Sequence, residues 1–176
     1  MDRRRFVKSA GVLAALGSMN LSDLQGADLK MINIVRTQLD YEREKLIRPF
    51  GFKGGYLTEL WQVASKMQSE SGISRVGITT QSVLYGDADL FSRHSETVGN
   101  AMMFDLAAKA LEHVKKNPFR TPVELLDRIL PAVLQEGKML TGKQDLNLNF
   151  VYNALVGVDN AAWLTYAAEN KFSSFE

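Results

Sequence analysis

The chain has 176 residues, 45% of them hydrophobic and 23% charged, the length and composition of one globular domain. Its 21 lysines and arginines are balanced by 20 acids for a net charge of +1, which gives no electrostatic footprint for nucleic acid. The absence of cysteine excludes disulfides, thiolate metal sites and cysteine nucleophiles, and no apolar run reaches the roughly 20 residues of a membrane span.

Residues 1–27 read as an export signal. Arg3-Arg4-Arg5-Phe6-Val7-Lys8 resembles the twin-arginine signal, with paired arginines, two apolar residues and a lysine, and a weakly hydrophobic run from Gly11 to Met19 follows. Gln25 occupies the place where a small residue should precede a cleavage site at Gly26-Ala27. The expectation is an exported chain, periplasmic or secreted, whose folded domain occupies residues 28–176. The alternative is a basic N-terminal arm without that role.

Met31 to Tyr41 predicts a first strand. Ile32 and Ile34 alternate on one face, then Val35, Thr37, Leu39 and Tyr41 on the other, and a switch of face in mid-run marks a bulge or a strand covered on both sides. Arg48-Pro49-Phe50-Gly51-Phe52-Lys53-Gly54-Gly55 predicts a loop, since proline and three glycines punctuate it. Its two phenylalanines, bracketed by Arg48 and Lys53, suit either a lid over an anionic carboxylate or a turn whose rings pack on Tyr56 or Trp61. Tyr56 to Gln68 alternates as a second strand with Leu57, Glu59, Trp61 and Val63 on one face, and Arg75 to Leu84 predicts a third. Short turns between them imply antiparallel pairing.

Tyr85 to Glu96 is polar and predicts a loop with a helical turn. A helix follows from about Ser95 to Lys116, with Val98, Met102, Leu106, Ala110 and Val114 on its buried face. Thr121-Pro122-Val123-Glu124 is a start signal for a second helix, with a buried stripe of Leu125, Leu126, Ile129, Leu130 and Val133 and a proline, Pro131, inside it. The third helix spans about Asn149 to Asn170. Phe150, Ala154, Leu155, Val158, Ala161, Ala162 and Thr165 face the core, and Gly157 with the alanines makes one flank small enough for another backbone to approach. Trp163 is expected to anchor the core. Strands first and helices afterwards predict an α+β domain: a three-stranded antiparallel meander followed by a three-helix bundle.

Two local patterns suggest chemistry and fail on inspection. Gly137 to Lys143 has the spacing of a phosphate-binding loop, but Gln144 stands where Ser or Thr must hold magnesium, and the segment follows a helix. Asp87, Asp89, His94 and Glu96 have metal-ligand chemistry without any metal-site spacing, and read better as a solvated loop that caps the next helix.

The order Ala154-Leu155-Val156-Gly157-Val158-Asp159-Asn160-Ala161-Ala162-Trp163 resembles the last helix of the N-terminal capping domain of the enolase superfamily, in its mandelate racemase and muconate lactonizing branch. The shared features are a small residue, an acid after a β-branched residue, an alanine pair and tryptophan, although Leu164 follows where the branch has aspartate. The resemblance implies a cap that closes over a catalytic (β/α) barrel. The barrel supplies a lysine or histidine base, and magnesium supports proton abstraction α to a carboxylate, of racemase, epimerase or dehydratase type. It assigns substrate selection to two loops, here Arg48, Phe50, Phe52 and Lys53 in the first and Tyr85, Asp87 and Phe91 in the second. No catalytic or metal residue is expected within the chain, because a barrel needs about 250 residues of its own. The chain is therefore expected to be a fragment or a truncated form, inactive by itself. The implied partners are the barrel domain and a small carboxylate substrate, with homo-oligomerisation left open. From the residues alone, the competing reading is a free-standing exported α+β binding or interaction module without catalysis.

Overall fold

A computed structural model of the chain describes residues 29–52 and 55–172. The expected export signal lies outside the described residues, as does Lys53. Three strands, β1 (Ile34–Phe52), β2 (Gly55–Ser69) and β3 (Ser74–Gln81), form one antiparallel sheet in the order β1-β2-β3. Five helices follow: the short α1 (Val83–Gly86) and α2 (Ala88–Arg93), then α3 (Glu96–Lys116), α4 (Pro122–Thr141) and α5 (Leu148–Glu169). The domain is α+β, as the order of patterns predicts.

Period-two alternation decides which sheet face is buried. On β2, Leu57, Glu59, Trp61, Val63, Ser65, Met67 and Ser69 are buried, while Thr58, Gln62 and Lys66 on the other face are exposed. The face switch in β1 is a bulge: Ile34 pairs with Ser69 and Arg36 with Gln68, leaving Val35 as the extra residue. The expected loop from Arg48 to Gly55 is instead largely strand. β1 runs on through the charged stretch Glu42–Lys45 as far as Phe52. Five residue steps from Lys45 to Phe50 face two from Glu59 to Leu57, so a wide bulge at Leu46–Pro49 absorbs the proline without ending the pairing. β3 pairs with β2 only from Trp61 to Gln68. Beyond Trp61 the β1–β2 hairpin continues as a two-stranded arm.

The helices cover the buried face. α5 packs on β3 and β2, α3 packs on β1, and α4 packs against α3 and α5. Phe150, Ala154, Leu155, Val158, Ala161, Ala162 and Thr165 of α5 are buried as expected, but Trp163, expected to anchor the core, is only half-buried. The small flank has its counterpart on the sheet: a Cβ built on Gly77 of β3 would clash with the Gly157 carbonyl oxygen and the Ala161 amide nitrogen. On α3 the buried face is Gly99, Asn100, Met103, Leu106, Ala107, Ala110, Leu111 and Val114, whereas Val98 is exposed, one position off the expected stripe. Thr121 caps α4 by accepting from the Glu124 amide, and Glu124 reaches back to the Arg120 amide, so two free helix-end donors are satisfied. α4 passes through Pro131 without interruption and ends at Gly142, in the left-handed conformation (φ 66°) that a glycine cap supplies. That turn is the segment with phosphate-loop spacing.

The far end of the sheet is tied to the helices by Glu169. This buried carboxylate accepts from the hydroxyls of Ser69 and Ser71 in the β2–β3 turn and lies 3.8 Å from the Lys30 ammonium. Burial pushes its carboxyl up, but the two hydroxyl donors outweigh burial and hold it low.

Candidate functional site

The tip of the β1–β2 arm gathers the two loops expected to select substrate. The Phe50 and Phe52 rings stack at 6.4 Å, and Phe52 meets Tyr85, on α1, at 5.0 Å. Phe91, on α2, fills the space beside Gly55, where any side chain would collide with its ring. Gly55 is thus required by close approach at the hairpin end. Beside these rings lies an open cavity of about 580 Å³ walled by Leu46, Ile47, Phe50, Leu57 and Tyr85, with Lys45, Arg48 and Glu44 at its charged margin. Ile47 is fully exposed, and Phe50 and Tyr85 are 49% and 45% exposed. An aliphatic residue wholly in water on an aromatic-lined rim marks a contact surface rather than a core.

The arm is held at a set angle by polar contacts that pattern reading did not find. Past the end of β3, the β2 edge has no strand partner among the described residues, and Glu96 takes its place: the carboxylate accepts from the backbone N–H groups of Thr58 and Glu59 and from the Thr58 hydroxyl. On the neighbouring buried face Glu59 accepts from Nε and Nη2 of Arg43, from the Trp61 indole and from Thr97. Burial pushes the Glu59 carboxyl up, and the Arg43 and Trp61 hydrogen bonds outweigh it to hold it below the usual range. Tyr41 stacks on Trp61 at 4.5 Å and meets Phe104 of α3 edge-on. The sequence signal for this network is a glutamate inside the apolar face of β2; Glu96 itself read as one more member of a polar loop.

Of the candidate loop residues, Arg48, Phe50, Phe52, Tyr85 and Phe91 meet at or beside the arm tip, and Asp87 does not. Asp87 is 3% exposed. It caps α2 by accepting from the Asp89 and Leu90 amides, accepts from the Asn147 amide, and pairs with the Lys143 ammonium at 2.9 Å. Burial alone pushes the Asp87 carboxyl up, but Lys143 and the amide donors hold it low, while Asp87 holds Lys143 above its ordinary value against burial. The helix expected to follow is capped by Ser95, which accepts from the Val98 amide, whereas Asp87 caps α2 within the segment and is buried rather than solvated. Lys143, from the failed phosphate loop, also contacts Asp89 at 3.3 Å, so this pair fastens the α4–α5 link to the segment after β3.

These contacts account for the acids that looked like metal ligands: Asp87 and Asp89 share Lys143, and Glu96 serves backbone donors. Among the described residues no three His, Cys, Asp or Glu side chains converge into a metal-holding group, and no helix is long and apolar enough to cross a membrane. The arm tip offers apolar walls, stacked rings and a margin of two cations and one acid, which are means of binding and of excluding water. In comparisons with protein-family models, curated proteins and solved structures, the chain matches none.

Proposed function

We propose that this chain is the substrate-capping domain of a magnesium-dependent enolase-superfamily enzyme that removes a proton α to a carboxylate. The observation that carries the reading is the arm tip, where Phe50 stacks on Phe52 and Phe52 meets Tyr85 of the second segment at 5.0 Å, beside Arg48. The sequence motif in α5 supports it, as does the succession of meander and helices. In this reading the rings close over the substrate and exclude water, and Lys45 and Arg48 attract its carboxylate. The chemistry belongs to the partner barrel. Magnesium does too, since Asp87, Asp89 and Glu96 are already engaged by Lys143 and by backbone donors and do not fit the ion.

The test is the reading frame that follows the codon for Glu176. The expected result is a barrel with three spaced acidic ligands and a lysine or histidine base at its strand ends. A stop codon with no barrel gene beside it overturns the reading and leaves a free-standing binding module.

A further inference from the structure

Helix α5 has a second apolar face, turned away from the sheet. Leu148, Tyr152 and Val156 recur one turn apart and are 38%, 47% and 39% exposed, and Trp163 extends the row two turns on, half-buried. Across from them α4 presents Leu126 and Leu130, the two residues of its expected stripe that are only half-buried. An open groove of about 310 Å³ runs between the two helices. The row from Leu148 to Trp163 is roughly 22 Å long at 1.5 Å per residue, the scale of a polypeptide contact rather than of a small ligand.

Two acids, Asp127 and Asp159, line this groove, and among the described residues no base does. Asp159 is half-buried. It takes a hydrogen bond from the Trp163 side chain one turn on, while its Oδ1 is enclosed and has no partner. Glu136, half-buried as well, also keeps an enclosed oxygen without a partner while His113 takes its other one, but the three fully buried carboxylates are treated differently. Glu59 has Arg43 and Trp61, Asp87 has Lys143 and three amides, and Glu169 has two serine hydroxyls. A carboxylate left short of donors in an apolar setting is costly. Burial accordingly pushes the Asp159 carboxyl up, with the Trp163 bond offsetting part of it.

We infer that the α4–α5 groove is the docking surface for a polypeptide partner whose contacting face is apolar and presents an arginine or lysine to Asp159. The apolar walls supply the dry core of such an interface, and the acid supplies a single charge-assisted hydrogen bond that sets register. Two acids without a base select a cationic partner and reject an acidic one. The groove shares no residue with the arm tip, so this inference stands or falls apart from the capping reading.

Two 18-residue helical peptides with a leucine face test it, one with a central arginine and the other with glutamate at that position. Binding to the full chain is followed by the Trp163 indole resonance. The arginine peptide is expected to bind at least tenfold more tightly than the glutamate peptide. In Asp159→Asn that preference falls towards one, and in Val156→Glu, at an exposed position that leaves folding intact, binding of the arginine peptide is lost. Unchanged thermal midpoints for both variants confirm the fold. Equal affinities, no binding of either peptide, or binding that survives Val156→Glu overturns the inference. So does self-association abolished by Val156→Glu with neither peptide bound, which would give the groove to a second copy of the chain.

Discussion

Gly77 of β3 and Gly157 of α5 meet backbone to backbone, and the sheet and its covering helix are as close as they are because neither residue has a side chain. The two glycines are not equivalent. A methyl group on Gly77 strikes backbone atoms of α5, which cannot move aside alone, whereas one on Gly157 comes 3.1 Å from the Ser65 hydroxyl and 3.2 Å from a Thr79 methyl. Gly77→Ala is therefore expected to destabilise the domain by about 3 kcal/mol, the upper end of overpacking. Gly157→Ala gains about 1 kcal/mol of helix propensity, which offsets its tight contacts, and is expected to stay within about 1 kcal/mol of the parent. Urea unfolding of both variants measures the difference; equal losses would mean that the helix moves as a body.

Trp163 is half-buried, not the core anchor its size suggests. It meets Tyr166 edge-on at 5.8 Å and bonds to Asp159. Trp163→Ala is expected to cost about 1–2 kcal/mol, below the roughly 3–5 of a buried aromatic. Phe150, at 0% exposure, is expected to show the full loss on truncation to alanine. Denaturant midpoints rank the two, and the opposite order would put Trp163 in the core.

The Lys143–Asp87 pair is buried on both sides, with side chains 8% and 3% exposed. Removing one partner strands the other, so Lys143→Met is expected to cost about 3–5 kcal/mol at pH 7. The pH window follows from the directions of shift. Asp87 is held below its ordinary 3.8, so its contribution is present above that pH and is lost as pH falls through the lower folded value. Lys143 is held above its ordinary 10.5, so its contribution is complete below that pH and is lost as pH rises through the higher folded value. The variant's deficit should therefore be widest between about pH 4 and pH 10 and narrow at both extremes. A deficit independent of pH would show that packing alone is lost.

At the arm tip, Phe50 is 49% exposed and its ring rests on Phe52 rather than on the core. Phe50→Ala is expected to shift stability by less than about 1 kcal/mol, the range of exposed positions. Phe52, which also touches Tyr85, is expected to lose somewhat more. In a barrel-complete enzyme both substitutions are expected to lower kcat/KM for a carboxylate substrate. Losses of 2 kcal/mol or more in this chain would make the rings structural and remove the lid role.

Glu96 replaces a missing strand partner at Thr58 and Glu59. Glu96→Ala is expected to speed hydrogen exchange at those two amides at least tenfold while leaving Val63 and Met67, inside the three-stranded part, protected. Uniform acceleration across β2 would show that the arm and the sheet open together.

Much of this architecture is legible in one dimension, because the signals involved are local. Alternation along Tyr56–Gln68 sorts β2 into two faces, the double isoleucine followed by Val35 and Thr37 marks the bulge, Thr121-Pro122-Val123-Glu124 starts α4, and the spacing of Phe150, Ala154, Val158 and Ala161 marks the buried face of α5. Each depends on neighbours a few residues apart. The failures are those that distance along the chain conceals. Arg48 to Phe52 carries every local sign of a loop and is strand, because β2 supplies a pairing edge that a wide bulge can follow past the proline. Asp87 reads as solvated and is buried, because Lys143, 56 residues later, arrives to neutralise it. Trp163 reads as core, yet α5 has only one side against the sheet and its alanines and glycine take that side, so the large ring is left half-buried beside Tyr166. Periodicity determines which residues share a face; only the packed structure decides what that face meets, because burial and charge pairing are properties of the neighbours that folding brings in.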